Sequence, residues 1–327
     1  MVSVIIPTYK RAKYIERAIN SVLNQTYKDY EIIVVDDNNP STAYRKQLEK
    51  IMNKYKENKK IIYIQHEKIR NGAAARNTGI RIARGKYITF LDDDDYFLPD
   101  RIRKLVEILE KNKEYNAAYS SVVIVKNKKI VKIKRALKQE NLRIELLKQK
   151  SFFGTGSNMF FRAEAIKEIN GFDESFNRNQ DLEVMIRFLR QNKVIALDEP
   201  LVVKDQEDRT NEPTVQDAFE IREYFLKCFE NDIQKIPEKT NEIYAFNYYS
   251  ILSYALTKKD FKMAKKIKTK LLQYTNINIK MRLKLIIYFL DSYMNFIVKG
   301  NNYIQNITET KKLEKKVKTY IKNVENT

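Results

Sequence analysis

The segment KYITFLDDDDYFLPD, residues 86–100, joins an apolar run to four consecutive aspartates and then to a proline. The apolar part is rich in aromatic and β-branched residues, which favours a buried β-strand. Pro99 and Asp100 open the amphipathic segment RIRKLVEILEKN, as expected for the first turn of a helix. A strand, a polar turn and a helix in this order are typical of an α/β protein.

The same alternation fills the preceding 85 residues. β-Branched runs predict strands over residues 3–9, 30–37 and 60–66, and helical periodicity predicts helices over 14–26, 43–55 and 73–83. Strands that alternate with helices of this length indicate an α/β fold with a mostly parallel central sheet flanked by helices. In such sheets, ligands bind beyond the carboxyl ends of the strands.

The pattern changes after residue 204. A polar connection, DQEDRTNEPT, leads into sequence that reads as helical to the end of the chain, so we predict an α-helical C-terminal region over residues 206–327. Two apolar stripes at helical spacing predict a small bundle: Phe246, Tyr249, Leu252 and Leu256, and then Met263, Ile267 and Leu271. The single cysteine, Cys228, excludes an intrachain disulfide, and we expect it to be buried.

The formal net charge is +20, and its distribution is uneven. Residues 258–284 hold ten Lys or Arg against Asp260 alone, and residues 126–138 hold no acid. Such runs attract nucleic acid, anionic lipid or an anionic acceptor, although solvated helix faces in a lysine-rich protein explain them equally well. We expect no signal peptide at the N-terminus, and we expect segment 283–298 to be a buried or interface-lying helix. A cytoplasmic protein, peripheral on the inner face of the membrane, fits this pattern.

The four aspartates suit a metal site. In an extended strand end, alternate side chains share a face, so Asp92 and Asp94 are expected to point together while Asp93 and Asp95 point elsewhere. Two carboxylates offer hard oxygen ligands to Mg²⁺ or Mn²⁺. A solvated acidic turn that caps the next helix is the alternative.

Two further clusters lie at predicted strand ends and helix starts. Asp36 and Asp37 end the second strand, where carboxylates can accept hydrogen bonds from a nucleobase or ribose. Gly72, Arg76 and Asn77 lie at a loop and helix start, where backbone amides and a guanidinium bind phosphate. Together these clusters predict a site for a nucleoside diphosphate.

Five blocks, taken in order, resemble the sequence blocks of family 2 inverting glycosyltransferases: VSVIIPTYKR, IIVVDDN, NGAAARNTGI, GKYITFLDDDD and GFDESFNRNQDLEVMIRFL. The resemblance covers roughly residues 1–205. It implies a GT-A catalytic domain over this range, with nucleotide-sugar binding in about 1–125 and the acceptor side in about 126–205. The remainder, 206–327, is then a helical domain that contacts a membrane surface or another subunit.

The resemblance also implies roles for individual residues. Asp92 and Asp94 match the DxD metal motif, and Asp37 matches the uracil-contacting acid. The nucleotide-binding set is Pro7, Thr8, Tyr9, Arg11, Asp36, Asp37, Asn71, Gly72, Arg76 and Asp93. On the acceptor side, Gly154 and Gly156 permit close approach of a sugar, and Gln180–Asp181 replaces the usual Glu-Asp pair, with Asp181 as the catalytic base.

The function implied is metal-dependent transfer of a hexosyl or N-acetylhexosaminyl group from a UDP-sugar, with Mn²⁺ or Mg²⁺, to a glycan or lipid-linked saccharide in bacterial surface polysaccharide or glycoconjugate synthesis. Asp205 or Asp208 is a candidate third metal contact. His66 is expected to have a surface or structural role, without partners. The absence of tryptophan argues against a processive polymerase. A basic nucleic-acid-binding protein and a sugar-nucleotide nucleotidyltransferase are the alternatives.

Overall fold

The computed structural model describes residues 1–136, 141–206 and 212–275. Within these residues the chain forms two compact units. The first contains residues 1–136, 141–143 and 151–206, and the second contains residues 144–150 and 212–275. The catalytic role predicted for residues 1–205 and the membrane or subunit contact predicted for residues 206–327 stay predictions. Asp208, the apolar segment 283–298 and the end of each basic run lie outside the described residues.

The first unit is built on one nine-stranded sheet with the strand order β3-β2-β1-β4-β8-β6-β9-β5, in which β7 pairs with β6. Its strands are β1 (Val2–Thr8), β2 (Tyr30–Asp36), β3 (Ile61–Gln65), β4 (Tyr87–Phe90), β5 (Tyr96–Phe97), β6 (Ala117–Lys126), β7 (Lys129–Lys134), β8 (Phe160–Arg162) and β9 (Val194–Asp205). Strands β1 to β4 pair in parallel, as the sequence predicts. The later strands make the sheet mixed, because β8, β7 and β5 pair antiparallel while β6 and β9 are parallel.

Helices flank this sheet and bury their apolar faces on it. They are α1 (Ala12–Leu23), α2 (Ala43–Met52), α3 (Gly72–Ile82), α4 (Arg101–Lys111), α6 (Ala163–Glu168) and α7 (Gln180–Phe188), with 3₁₀ turns at Asn53–Tyr55 and Gly156–Asn158. Ile15 and Ile19 of α1 and Leu105 of α4 are fully buried in the core beside β1, β2 and β4. Burial of each such side chain contributes roughly 1.5–3 kcal/mol.

The parallel register brings three strand ends to one edge. Thr8 at the end of β1 is level with Asp36 at the end of β2, and the Leu91 amide donates a 2.9 Å hydrogen bond to the Ile5 carbonyl. Pro7 fits within β1 because β4 pairs with β1 only as far as Ile5, which leaves no ladder bond on that side for Pro7 to donate. The polar residues that follow β1, β2 and β4 therefore share one edge.

The second unit is helical and consists of α5 (Leu142–Leu147), whose first two residues belong to the first unit, α8 (Val215–Cys228), α9 (Glu230–Gln234), α10 (Pro237–Thr257) and α11 (Phe261–Leu272). A capping box formed by Thr214 and Asp217 begins α8. None of the described helices is long and apolar enough to cross a membrane.

Two sequence predictions for this unit are wrong in detail. The buried face of α10 contains Ile243, Ile251 and Ala255, so it is rotated from the predicted stripe and shares only Leu252 with it. The rotation occurs because Asn247, a polar residue that periodicity discounts, is fully buried and donates 2.9 Å hydrogen bonds to the carbonyls of Leu147 and Ile243. Cys228 ends α8 and is exposed, not buried.

Candidate active site

The four aspartates lie in a turn and not in an extended strand. β4 ends at Phe90, and the Asp95 amide donates a 3.0 Å hydrogen bond to the Asp92 carbonyl, which closes the turn. Carboxylate oxygens of Asp92, Asp94 and Asp95 lie within 4.8 Å of one another. The predicted alternation is therefore wrong for Asp95, because the turn folds its side chain back toward the other two.

Asp95 is held on the acceptor-side loop. Its Oδ2 accepts hydrogen bonds from Thr155 Oγ1 (2.8 Å) and Ser157 Oγ (2.6 Å), and its Oδ1 accepts one from the Asp205 amide (3.2 Å). Ser157 Oγ also accepts the Asp92 amide at 3.0 Å, so this one hydroxyl fixes both ends of the turn. Burial, and then the charges of Asp94 and Asp92, raise the pKa of Asp95 to about 7.

Asp93 points away from the other three, toward the end of β1. Thr8 Oγ1 donates a 2.8 Å hydrogen bond to Asp93 Oδ2, and Arg11 NH1 lies 3.8 Å from Oδ1. Burial, followed by the neighbouring Asp94, raises the pKa of Asp93 to about 8. Thr8, Arg11 and Asp93, all predicted to bind nucleotide, thus form one connected group.

Arginines pair with the acids of the turn. Arg76 NH2 lies 2.5 Å from Asp92 Oδ1, and Arg11 NH1 pairs with Asp94 Oδ2. Arg17 donates to the Asp94 carbonyl at 2.6 Å and pairs with Asp205 at 2.7 Å. The carboxylate of Asp205 is therefore engaged by a cation, and the prediction that it contacts a metal finds no support in this geometry.

Asp37 directly follows β2 and is positioned by His66, a residue that the sequence analysis expects to have no partner. His66 Nδ1 lies 2.7 Å from Asp37 Oδ1, and its Nε2 lies 2.9 Å from Thr78 Oγ1. Arg81 donates to the same Thr78 oxygen at 2.7 Å, so the hydroxyl proton is free to point to Nε2 and the Nδ1 proton to Asp37. His66 is buried and orients Asp37, which corrects the prediction that it has no partner.

Asp36 belongs to the interior. It is fully buried. Its Oδ2 forms an ion pair with Arg45 at 2.8 Å and accepts a hydrogen bond from the Tyr63 hydroxyl at 2.6 Å. Its Oδ1 accepts hydrogen bonds from the backbone amide and from the side-chain amide of Asn38, both at 2.8 Å. Both oxygens are saturated, so this geometry replaces the predicted direct nucleotide contact with a structural role. Asp36 fixes the Asn38 loop, and Asn38 Oδ1 in turn accepts the Lys10 amide at 2.9 Å beside exposed Tyr9.

The predicted phosphate loop begins α3. Asn71 caps this helix by accepting the Ala74 amide at 2.9 Å, and its Nδ2 donates to the Glu174 carbonyl at 2.7 Å. Its side chain is therefore occupied on both sides and supports the loop. Gly72 leaves room for the Arg76 guanidinium and Gln180, since a Cβ at Gly72 would lie 2.9 Å from Arg76 NH1.

Asp181, predicted for the acceptor side, lies next to the turn of residues 92–95, which we call the acidic turn. Asp181 lies in the first turn of α7, and the helix N-cap is Asn179. A Cβ on Gly156 would lie 3.8 Å from the Asp181 Cβ and 3.7 Å from Asp92 Oδ2. The backbone of Gly156 therefore lies next to both acids, and its lack of a side chain leaves the space between them open. Gln180 Oε1 accepts Arg76 NH1 at 3.0 Å. Burial first, and then Asp92, raise the pKa of Asp181, while Lys204 and Arg76 oppose that shift.

Behind the loop lies Arg101, a fully buried cation. Its guanidinium donates to Asn158 Oδ1 and Ser120 Oγ at 3.0 Å and to the Ser157 carbonyl at 3.1 Å, and it lies 4.5 Å from the centre of the Phe97 ring. The partners that its guanidinium has among the described residues are all neutral, and burial lowers its pKa to about 9. Arg101 thereby anchors the segment that carries Ser157.

We expect Arg101→Met to reduce the free energy of unfolding by about 2–4 kcal/mol, because the Ser157 carbonyl would stay buried without a donor and Asn158 Oδ1 would keep only its two hydrogen bonds from Ser120. Urea denaturation measures this change. The control is Arg103→Met, which removes only half-exposed ion pairs to Asp100 and Glu107 and should cost about 0–1 kcal/mol. Equal stability of Arg101→Met and the unchanged protein would contradict the anchoring role.

An ordered set of strand-end acids, a helix-start loop and an acid on α7 is the arrangement expected for a nucleotide-sugar site. A family model described as glycosyl transferase family 2 matches residues 3–170. The chain belongs to glycosyl transferase family 2. Membership implies a nucleotide-sugar donor and a saccharide acceptor, and it favours the transferase prediction over the nucleic-acid-binding and nucleotidyltransferase alternatives.

Two relatives of this glycosyltransferase illustrate the range of similarity. The uncharacterized glycosyltransferase MJ1057 of Methanocaldococcus jannaschii is 32% identical over 210 residues, which cover 62% of this chain and 70% of the relative. The UDP-Glc:alpha-D-GlcNAc-diphosphoundecaprenol beta-1,3-glucosyltransferase WfaP of Escherichia coli is 36% identical over 127 residues, 39% of this chain and 48% of WfaP.

The fold of this glycosyltransferase matches solved structures of S. aureus TarS. Residues 1–349 of TarS in complex with UDP-GlcNAc superpose with a TM-score of 0.58 at 20% identity, covering 78% of this chain and 72% of that one. The complex of the same fragment with UDP gives a TM-score of 0.54 at 17% identity, covering 85% and 93%. This likeness confirms the predicted GT-A fold.

Several residues of this glycosyltransferase site escape sequence analysis. His66 stands at the carboxyl end of β3, beside the end of β2, and that position was a usable signal. Ser157 lies in the loop already predicted for the acceptor side. Arg17, Arg101 and Lys204 gave no signal, because each meets its partners across long sequence separations, 188 residues in the case of Arg17 and Asp205.

Proposed function

We propose that the protein transfers a hexosyl or N-acetylhexosaminyl group, with inversion, from a UDP-sugar to a glycan or lipid-linked saccharide. The observation that carries this proposal is the placement of Asp181 beside Asp92 across Gly156. A base and a site for the leaving diphosphate must flank the anomeric carbon for in-line displacement. The resemblance to TarS, which was solved with UDP and UDP-GlcNAc, supports the choice of UDP.

Asp37 is the proposed contact for the uracil. Its Oδ1 is held by His66 and by the Arg70 amide at 2.9 Å, and its Oδ2 accepts no hydrogen bond from the described residues. That free oxygen can accept the imide proton of uracil, which cytosine and adenine lack at the corresponding position. Pro7, Thr8 and Tyr9 carry the loop that we propose flanks the nucleoside.

The acidic turn fits a divalent cation. The turn brings together the carboxylates of Asp92, Asp94 and Asp95. Hard oxygen ligands such as these suit Mg²⁺ or Mn²⁺. We propose Asp92 and Asp94 as its protein ligands, with Asp95 held back by Thr155 and Ser157. When bound, the cation would supply a Lewis acid for the diphosphate.

In the proposed reaction, Asp181 accepts the proton of the acceptor hydroxyl. The acceptor oxygen forms a bond to the anomeric carbon as the bond from that carbon to the diphosphate oxygen breaks, and the bonding electrons leave with UDP. Arg76 and Arg11 lie beside the turn and can pair with the negative charge that develops on the departing diphosphate. The attack on the face opposite the diphosphate inverts the configuration.

A screen of nucleotide-sugars tests this function. The purified protein should release UDP from at least one UDP-sugar in the presence of Mn²⁺ or Mg²⁺, because transferases of this kind hydrolyse their donor slowly when the acceptor is missing. Matched GDP-, CMP- and dTDP-sugars serve as controls. Release of nucleotide from a GDP-sugar alone would reject the choice of UDP, and no release from any donor would reject the proposed reaction.

The pH profile should show the environment of Asp181. A base works only when ionised, so activity should fall as the pH falls through its raised pKa. The positive charge of Lys204 lowers the pKa of Asp181, so Lys204→Gln should move the acidic limb of kcat/KM to higher pH. Lys59→Gln, before β3, is the matched control and should leave the limb in place. An unmoved limb in Lys204→Gln would argue against Asp181 as the titrating base.

We propose a peripheral position on the inner face of the membrane. The relative WfaP acts on a diphosphoundecaprenol-linked acceptor, and diphosphoundecaprenol is a membrane lipid. Helix α11 carries Lys262, Lys265, Lys266, Lys268 and Lys270, and lysines near an anionic leaflet are attracted to it. Co-sedimentation with phosphatidylglycerol vesicles tests this placement, and equal binding to neutral vesicles would contradict the electrostatic basis.

A further inference from the structure

The acid-free run that starts at Lys126 contains β7, which pairs with β6, and β9 pairs with the other side of β6, so lysines of β7 and β9 share one face of the sheet. Lys132 on β7 is opposite Ile124 on β6, and Ile124 is level with Lys204 on β9. Lys134 follows Lys132 by two residues, opposite Val122. Directly paired neighbours and residues two apart share a face of the sheet, so Lys132, Lys134 and Lys204 lie on the same face.

Two of these lysines, Lys134 and Lys204, contact the loop predicted for the acceptor side. Lys134 Nζ donates to the Ser151 carbonyl, and Lys204 Nζ donates to the Gly154 carbonyl at 3.1 Å. Gly154 has a φ of +83°, and a Cβ there would lie 3.3 Å from Lys134 Cδ, so the loop lies against the lysines. The cations are therefore packed beside the backbone that leads to Gly156 and Asp181.

None of the three lysines forms an ion pair with a carboxylate within residues 1–136, 141–206 and 212–275, whereas Arg11, Arg76 and Arg135 each do. Burial lowers the pKa of Lys134, and the like charges of Lys132 and Lys204 lower it further. Like charges held together without a counter-ion are a cost in the free protein that an anionic ligand removes.

The cluster also acts on the reacting groups. Burial raises the pKa of Asp181 and the charge of Lys204 opposes that shift, so Lys204 lies near enough to Asp181 to act on it. An anion bound at the lysines would therefore lie close to the proposed base while remaining separate from the Asp37 end of the site. The donor diphosphate already has Arg11 and Arg76, so a second anion is the better match for the lysines.

We propose that Lys132, Lys134 and Lys204 bind a phosphate group carried by the acceptor, while the acceptor hydroxyl lies at Asp181. This inference rests on the proposed function and names the chemical class of its acceptor. Phosphate suits ammonium groups, which act as mobile point charges with three donors each. Nucleic acid is a poorer match, because the only aromatic residue of the hairpin, Tyr119, is buried and offers no face for base stacking.

The test measures binding of butyl phosphate to the full chain with UDP and Mg²⁺ saturating the donor site, by calorimetry. Lys132→Ala/Lys134→Ala should weaken butyl phosphate about tenfold or more, and binding by the unchanged protein should weaken with added salt. Lys59→Ala removes one charge at the opposite sheet edge and should bind as the unchanged protein does. Butyl glucoside, which is neutral, should show no dependence on the lysines.

Equal affinity of the double variant and the unchanged protein for butyl phosphate would overturn the inference. So would loss of phosphatidylglycerol-vesicle binding in the double variant without competition by butyl phosphate, because the lysines would then be a membrane contact. UDP affinity is measured on the same samples. Failure to bind UDP at all would reject the proposed function, whereas normal UDP binding without lysine-dependent phosphate binding would reject only the acceptor class.

Discussion

Asp181→Asn should abolish sugar transfer, with a loss of about 10³-fold in kcat, while UDP still binds. The amide preserves the shape of the side chain at the start of α7, but it cannot take the proton of the acceptor hydroxyl. Burial beside Asp92 raises the pKa of the Asp181 carboxyl, so it is a stronger base than an exposed aspartate. Single-turnover transfer and UDP calorimetry on the same preparation separate chemistry from binding.

Asp173→Asn is the matched control for that substitution. Asp173 precedes α7 on the same segment and is exposed, and its carboxylate accepts a hydrogen bond from the Ser175 amide at 2.9 Å. Its amide variant should transfer sugar at close to the unchanged rate. Turnover by Asp181→Asn within tenfold of the unchanged protein would mean that another group takes the proton.

The second large effect is expected for Asp94→Ala, which should weaken UDP binding in Mn²⁺ by about 100-fold and remove the difference between binding with and without metal. Asp94 is one of three carboxylates that converge on the acidic turn, and its pKa is raised by burial and then by Asp92. Removal of this acid also frees Arg11 from its ion pair. Calorimetric titration of UDP with Mn²⁺ and with EDTA measures both quantities.

Asp100→Ala provides the comparison for Asp94→Ala. Asp100 is a half-exposed acid close in sequence whose partners are Arg103 and Thr26, outside the site. Its alanine variant should keep metal-dependent UDP binding. A metal response in Asp94→Ala equal to that of the unchanged protein would reject the acidic turn as the cation site.

The sequence predicts the parallel half of the sheet because each strand is apolar and each helix follows within a short turn. The carboxyl ends of β1, β2 and β4 therefore align, and Thr8, Asp37 and Asp92 can be assigned to one edge before any coordinates are known. The antiparallel strands β7, β8 and β5 are short or lysine-rich, so their pairing depends on tertiary contacts that periodicity does not encode.

Side-chain roles at the site are less predictable than positions. Asp36 and Asp37 are identical neighbours in the sequence, yet one is saturated by Arg45, Tyr63 and Asn38 while the other keeps one oxygen available. The side chain of Asp95 lies near that of Asp92 because the Ser157 hydroxyl hydrogen-bonds to both residues and fixes the turn between them. Most of the partners that make these distinctions lie 27 to 65 residues away in the sequence, and only Asn38 and Arg45 are near. The roles of these acids can therefore be assigned only once the fold is known.

The pairing of Arg76 with Asp92 and of Arg11 with Asp94 means that the protein carries internal counter-ions for its acidic turn. Asp92 and Asp94 each have a guanidinium beside them, whereas Asp95 is held by the hydroxyls of Thr155 and Ser157. If Asp92 and Asp94 hold the proposed cation, Arg76 and Arg11 would be released from these carboxylates and could pair with the diphosphate. Donor binding would then change which groups the arginines pair with. Both guanidiniums would already lie at the turn before the donor binds.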